Sequence, residues 1–144
     1  MRYIFGFGSL VNDATHDYEI IAPASVSGFA RQWVSAIDGQ YSFLSASPQS
    51  DVSIKGLVLG VAEEKMAALA EREARYELVE LNNANIQCNQ KLNRPVYLYQ
   101  AESDAIDQFD KKPILQSYLD CVFAGFETHL GTASIAEFIK SSGK

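Results

Sequence analysis

Apolar residues crowd this chain at two spacings: continuous or alternating in some stretches, three to four apart in others. Residues 3–7 read as a short buried strand that Gly8-Ser9 ends abruptly. A polar run over 12–19 leads into a strand over 20–29. Two short strands are expected at 32–37 and 41–46, separated by the turn pair Asp38-Gly39, with Ser-Pro-Gln-Ser-Asp at 47–51 as a surface loop. The β-branched and aliphatic run 54–62 reads as a buried strand, and 77–86 and 96–101 as two more, with an acidic loop at 102–110.

Helical spacing predicts three helices. The first covers 63–76, with Met66, Leu69, Ala70 and Tyr76 on one stripe. The second covers 114–126, where Ile114, Leu115, Tyr118, Leu119, Val122, Phe123 and Phe126 form a full stripe and Gly125 and Gly131 bracket the end. The third starts near Ser134, with Glu137 completing a capping box and Ile135, Phe138 and Ile139 facing inward. Strands interrupted by one helix and closed by two predict an α+β domain, a curled sheet or barrel with helices outside.

One position breaks the first helical stripe. At about 100° per residue, Glu73 falls among the apolar side chains, while Glu71 points to the opposite side. An ionised carboxylate is costly to bury without partners, so an inward Glu is either paired or used. Paired, it would bend back to water at a fraying end or meet Arg2, Arg31 or Arg94. Used, it would be an acid or base in a pocket.

Gly8-Ser9 is the second candidate feature. Glycine lets backbone approach a ligand and adopt positive φ, so successive amides can converge on an anion. The run lacks the third glycine and following helix of a dinucleotide-binding turn, and the Lys of a P-loop. An ordinary strand-to-loop turn would use the same residues.

Bulk properties narrow the classes. The 144 residues suit one domain, 1–144, with a core that needs no disulfide or metal staple. A formal charge of −6 without a Lys/Arg cluster argues against a nucleic-acid partner. The 114–126 helix has no basic face, so no membrane-surface binding is expected. Cys88 and Cys121 match no metal spacing and are expected as buried free thiols. His16 and His129 stand apart from each other and from any carboxylate pattern, so neither a metal site nor a cofactor is expected. Trp33 is expected in the core. The chain enters its first strand without a signal-peptide pattern, and no stretch is long enough to span a bilayer, so a cytoplasmic protein is expected. Oligomeric state is not legible.

Phe5-Gly6-Phe7-Gly8-Ser9-Leu10 resembles the Tyr-Gly-Ser-Leu signature of the γ-glutamylcyclotransferase-like superfamily, which includes AIG2-like and ChaC-like proteins. The run from Leu69 to Tyr76, followed by Val79, resembles its second signature, in which a helix delivers a Glu shortly before a Tyr and the next strand. The segment from Pro113 to Phe126 resembles its C-terminal helix. Phe7 departs from the pattern by removing a hydroxyl near the pocket, and Ala70 by removing a helix-surface acid. The resemblance implies a mixed β-barrel-like sheet with flanking α-helices and a pocket at one end. It also implies a reaction in which the α-amine of a γ-glutamyl compound attacks its own γ-carbonyl, giving 5-oxoproline and a free amine.

On that resemblance Glu73 is the general base, and Phe7, Gly8, Ser9, Leu10 and Tyr118 bind the small-molecule γ-glutamyl substrate. Because the nucleophile belongs to the substrate, no Ser–His or Cys–His pair is needed. Desolvation would raise the Glu73 pKa toward a useful range, and the Gly8, Ser9 and Leu10 amides would bind the α-carboxylate or the developing oxyanion. Tyr118 serves either the pocket or the core stripe. Arg31, Arg72 and Arg75 are left outside the site as ordinarily solvated arginines. Two other functions fit the same residues. One is an enzyme for a different γ-glutamyl amide, such as a crosslink or a protected intermediate. The other is a non-catalytic anion-binding module, although a pocket that only bound anions would do better without a carboxylate.

Overall fold

A computed structural model describes residues 1–35, 37, 40–102, 106 and 112–141. The Asp38-Gly39 turn and most of the expected acidic loop lie outside the described residues. Six strands form one mixed sheet: β1 (Arg2–Gly6), β2 (Glu19–Ser35), β3 (Ser42–Val61), β4 (Tyr76–Glu80), β5 (Ile86–Cys88) and β6 (Val96–Ala101). Their spatial order is β4-β6-β1-β3-β2-β5, with β1 and β6 parallel and the other pairs antiparallel. The sheet stays open, with β4 and β5 at its edges. Helices α1 (Met66–Arg72), α2 (Gln116–Leu130) and α3 (Ala133–Ser141) complete the α+β fold.

The expected strands over 20–29 and 32–37 are one strand, β2, and those over 41–46 and 54–62 are one strand, β3. The Ser-Pro-Gln-Ser-Asp run, expected as a loop, lies inside β3. Phe29 pairs with Pro48 and Ser27 with Ser53, so residues 49–52 face Gly28 alone in a bulge. Gly28 (φ 86°) and Asp51 (φ 67°) absorb the extra length in the left-handed region. Pro48 is tolerated because β3 pairs there with β2, and β1 joins it only over Leu57–Val61.

The core lies where the sheet centre meets the last helices. Ile4, Phe5, Leu57, Leu59, Val122, Phe126 and Phe138 are buried in one cluster. Phe138 stacks edge-on against both Phe123 and Phe126, a favoured ring geometry. Trp33 is half-buried against Tyr118 and Phe138. Cys88 and Cys121 are free but only half-buried. Gly125 permits the closest crossing: a Cβ there would stand 2.6 Å from the Asn12 amide nitrogen and 2.7 Å from the Val11 carbonyl carbon. Helix α2 therefore presses directly on the segment that follows β1.

The last two helices depart from expectation at their ends and caps. Ile114 makes a parallel bridge to Ser42, so α2 begins only at Gln116. Helix α3 starts at Ala133, which puts Ser134 inside the helix, where its hydroxyl donates to the Gly131 carbonyl (2.6 Å). Glu137 pairs with Lys55 at 3.0 Å, so the capping box is not formed, and Ile139 faces solvent. Among the described residues no helix is long and apolar enough to cross a membrane.

Candidate active site

β1 carries Phe5, Gly6 and Phe7 to the mouth of the sheet, and the chain then tightens into a 3-10 turn, Ser9–Val11. The turn closes with the Val11 amide donating to the Gly8 carbonyl and the Asn12 amide to the Ser9 carbonyl, both at 3.0 Å. Gly8 has φ −137°, so positive φ is not the reason for glycine here. Space is: a Cβ would lie 3.1 Å from Leu44 Cδ1 and 3.4 Å from the Tyr118 hydroxyl.

Glu73 arrives from the other side. Helix α1 ends at Arg72, and Glu73 leaves helical geometry (φ −102°, ψ 40°) as its C-cap, its amide still bonded to the Leu69 carbonyl. Its own carbonyl accepts from the Tyr76 amide as β4 begins. The predicted helix over 63–76 is therefore a 3-10 turn (Glu63–Lys65), α1, a cap and the start of β4. Ala70, placed on the buried stripe, is exposed. Glu73 points inward because the chain turns at the cap, not because a continuous stripe carries it.

These pieces close around one cavity of about 40 Å³, lined by residues 5–10, Leu44, Glu73, Tyr76, Tyr99 and Tyr118. A water needs about 10–15 Å³ of such space, so the cavity seats a group of several heavy atoms. All six residues expected in the site (Glu73, Phe7, Gly8, Ser9, Leu10 and Tyr118) lie on this wall. Tyr118, open between pocket and core, faces the cavity while packing edge-on against Trp33.

The Glu73 side chain is 14% exposed and its pKa is raised, first by loss of hydration, with Arg72 pulling it partly back. Burial also pushes the hydroxyls of Tyr76, Tyr99 and Tyr118 upward, and the Glu73 charge adds to each shift. In Tyr118 a backbone hydrogen bond with Leu44 opposes that rise. The three tyrosines stay protonated well above neutral pH, and Tyr76 donates to the Leu44 carbonyl at 2.6 Å. Glu73 is thus the cavity-lining carboxylate, and burial favours its protonated form more than water does.

Sequence reasoning missed Arg72, Tyr76 and Tyr99 as parts of this site. Arg72 donates to the Thr15 carbonyl (2.9 Å) and the Ser9 hydroxyl (3.2 Å), and its Nε lies 4.0 Å from Glu73 Oε1. It ties the end of α1, next to Glu73, to Ser9 and to Thr15 beyond the loop. Adjacency to Glu73 was the one available signal. The partners considered for Glu73 are engaged elsewhere: Arg2 with Glu63, Arg94 with the Met1 carbonyl, Arg31 with the Phe7 carbonyl. His129, expected to stand apart from carboxylates, lies 3.2 Å from Asp13.

No family sequence model matches the chain, and no curated protein matches it. Solved structures do. A γ-glutamyl cyclotransferase superposes with a TM-score of 0.79 at 11% identity, over 98% of this chain and 87% of its own. YkqA from Bacillus subtilis gives 0.72 at 12% identity, over 98% of this chain and 55% of its own. A yeast γ-glutamyl cyclotransferase specific to glutathione gives 0.67 at 15% identity, over 98% and 96%. At such identities the likeness is one of architecture, and it extends over nearly the whole chain. The chain has the fold of the γ-glutamylcyclotransferase-like superfamily.

Proposed function

We propose that the protein is a γ-glutamylcyclotransferase-type enzyme, converting a γ-glutamyl amino acid, peptide or amine to 5-oxoproline and a free amine. One observation carries this reading: a largely buried carboxylate, Glu73, and the Gly8–Leu10 loop line one cavity. Glu73 takes a proton from the substrate's α-ammonium, and the freed amine attacks the γ-carbonyl. The C–N bond of the lactam forms, negative charge gathers on the carbonyl oxygen, and amides of the loop stabilise it. Collapse breaks the bond to the leaving nitrogen, which receives the proton held by Glu73. The ring nitrogen then gives its second proton through the same carboxylate to the released amine, so that the lactam keeps one N–H. No water, metal or protein nucleophile is consumed. Tyr99 and Tyr118 are the hydroxyl donors on the cavity wall, the Tyr76 proton being held by the Leu44 carbonyl.

Incubation with γ-glutamyl dipeptides, glutathione and γ-glutamyl-amines, with 5-oxoproline followed by mass spectrometry, tests the reading. Release from at least one class with kcat in the usual enzymatic range supports it. Binding of 5-oxoproline without turnover of any substrate would make the protein a small-anion-binding module instead.

A further inference from the structure

Arg31 is only 3% exposed, an unusual place for a guanidinium. Its Nε donates to the Phe7 carbonyl at 3.0 Å, and its Nη2 to the Lys55 carbonyl at 2.7 Å. Its guanidinium carbon lies over the rings of Phe126 and Phe138, 5.1 and 4.6 Å from their centroids, where the two rings meet edge-on. Burial lowers its pKa to about 10, which leaves it charged at neutral pH. Strand β2 supplies the residue, β3 one carbonyl, and α2 and α3 the two rings.

The second carbonyl belongs to the residue immediately before Gly8. A trans peptide unit is planar, with C=O and N–H pointing in opposite directions, and no described peptide is cis. Drawing the Phe7 oxygen back toward β2 therefore directs the Gly8 N–H away from Arg31, on the side where Gly8 lines the cavity. A cation on the carbonyl also polarises the peptide and makes that N–H a stronger donor. We infer that Arg31 is the positioning residue of the candidate active site, fixing the Phe7–Gly8 peptide so that its amide serves the charge developing on the substrate. Arginine suits the place because its rigid fork spans two carbonyls while its cation rests against two aromatic rings; lysine offers one point charge.

The kinetic test rests on the cyclotransferase reading, and the spectroscopic test does not. Arg31→Lys, made in the full chain, keeps a charge but not the fork. Its kcat for 5-oxoproline formation is expected to fall about 10-fold or more, short of the roughly 10²–10³-fold cost of deleting an oxyanion donor, with KM changing less. Val26→Ala, a core variant in the β2–β5 region, controls for lost stability: at a matched fall in Tm it should keep its kcat. Arg31→Lys should also move the Phe7 carbonyl ¹³C and Gly8 amide ¹⁵N resonances more than those of Leu10. A kcat within twofold of wild type, or an equal loss in Val26→Ala, overturns the inference. If wild type turns over no γ-glutamyl compound, the functional reading fails alone, and unmoved Phe7 and Gly8 resonances would then overturn the role of Arg31. Should Arg31→Lys not fold, wild type decides. A slowly exchanging Arg31 Nε–H coupled across the hydrogen bond to the Phe7 carbonyl carbon supports the inference, and a freely exchanging one overturns it.

Discussion

Replacing Glu73 with Gln separates catalysis from stability, because the proposed mechanism and the burial of the carboxylate predict opposite effects on the two. Gln keeps the shape and can still hydrogen-bond, but it cannot take a proton from an ammonium. Loss of a general base costs about 10²–10⁴-fold in rate, or roughly 3–5 kcal/mol of transition-state stabilisation. For stability, the Arg72 pair at 4.0 Å involves a guanidinium 31% exposed, and such pairs are worth about 0–1 kcal/mol. Against that stands the lost hydration that raises the Glu73 pKa. A carboxyl with a raised folded-state pKa destabilises the fold once ionised, by about 1.4 kcal/mol for every pH unit its midpoint is displaced. The penalty is absent below the ordinary value of 4.5 and grows as pH rises through the folded midpoint. Glu73→Gln should therefore match wild-type Tm in acid and equal or exceed it at neutral pH, while 5-oxoproline release collapses. Mass-spectrometric turnover and thermal melts at pH 4 and pH 7.5 measure both, with Glu71→Gln, on the exposed face, as control. Full turnover in Glu73→Gln would refute the mechanism. A Tm several degrees lower at neutral pH would show instead that Glu73 is an anchor.

Arg72→Gln removes the charge that holds the Glu73 pKa down, so the acidic limb of the kcat/KM profile should move to higher pH; an unmoved limb would mean that another group controls it. Gly8→Val puts a methyl-bearing carbon 3.1 Å from Leu44 Cδ1 and 3.4 Å from the Tyr118 hydroxyl, and kcat/KM should drop by about 10-fold or more for loss of near-attack geometry. Unchanged kinetics would show that the loop is merely a turn. Gly125→Ala, favoured by helix propensity alone, should destabilise by about 1–3 kcal/mol because its Cβ meets backbone of Val11 and Asn12. Urea melts check this, and a more stable variant would contradict the crossing described.

The strands β1 and β6 were legible because each is a short, uninterrupted apolar run. The continuity of β2 and of β3 was not, because Gly28, Pro48 and Asp51 carry the local signature of a loop whether the chain turns or merely bulges. Only the pairing of Phe29 with Pro48 decides between the two. Helix α1 was drawn too long, since helical spacing persists through Tyr76 although Tyr76 already belongs to β4. Glu73 was thus located correctly for an incomplete reason. Arg31 carried no signal at all: within β2 it reads as one polar residue in an alternating strand, and its partners come from 24 residues away on both sides, with two rings farther on.

Backbone accounting explains why a loop without a cation on its cavity face suits developing negative charge. Buried carbonyls must find donors, and here the four from Phe7 to Leu10 find them in Arg31, Val11, Asn12 and His16. His16 keeps its proton on Nε2, because Nδ1 accepts from the Tyr18 amide, so the ring donates to the Leu10 oxygen. Burial lowers the His16 pKa, which favours that neutral form. With the oxygens so engaged, the amides of Gly8, Ser9 and Leu10 belong to residues that line the cavity, while the Val11 amide closes the turn onto the Gly8 carbonyl. Opposite stands a carboxylate whose ionisation is made costly by burial. A wall of amides and one reluctant base supply what an intramolecular amine attack requires, and nothing that would compete with the substrate's own nitrogen as nucleophile.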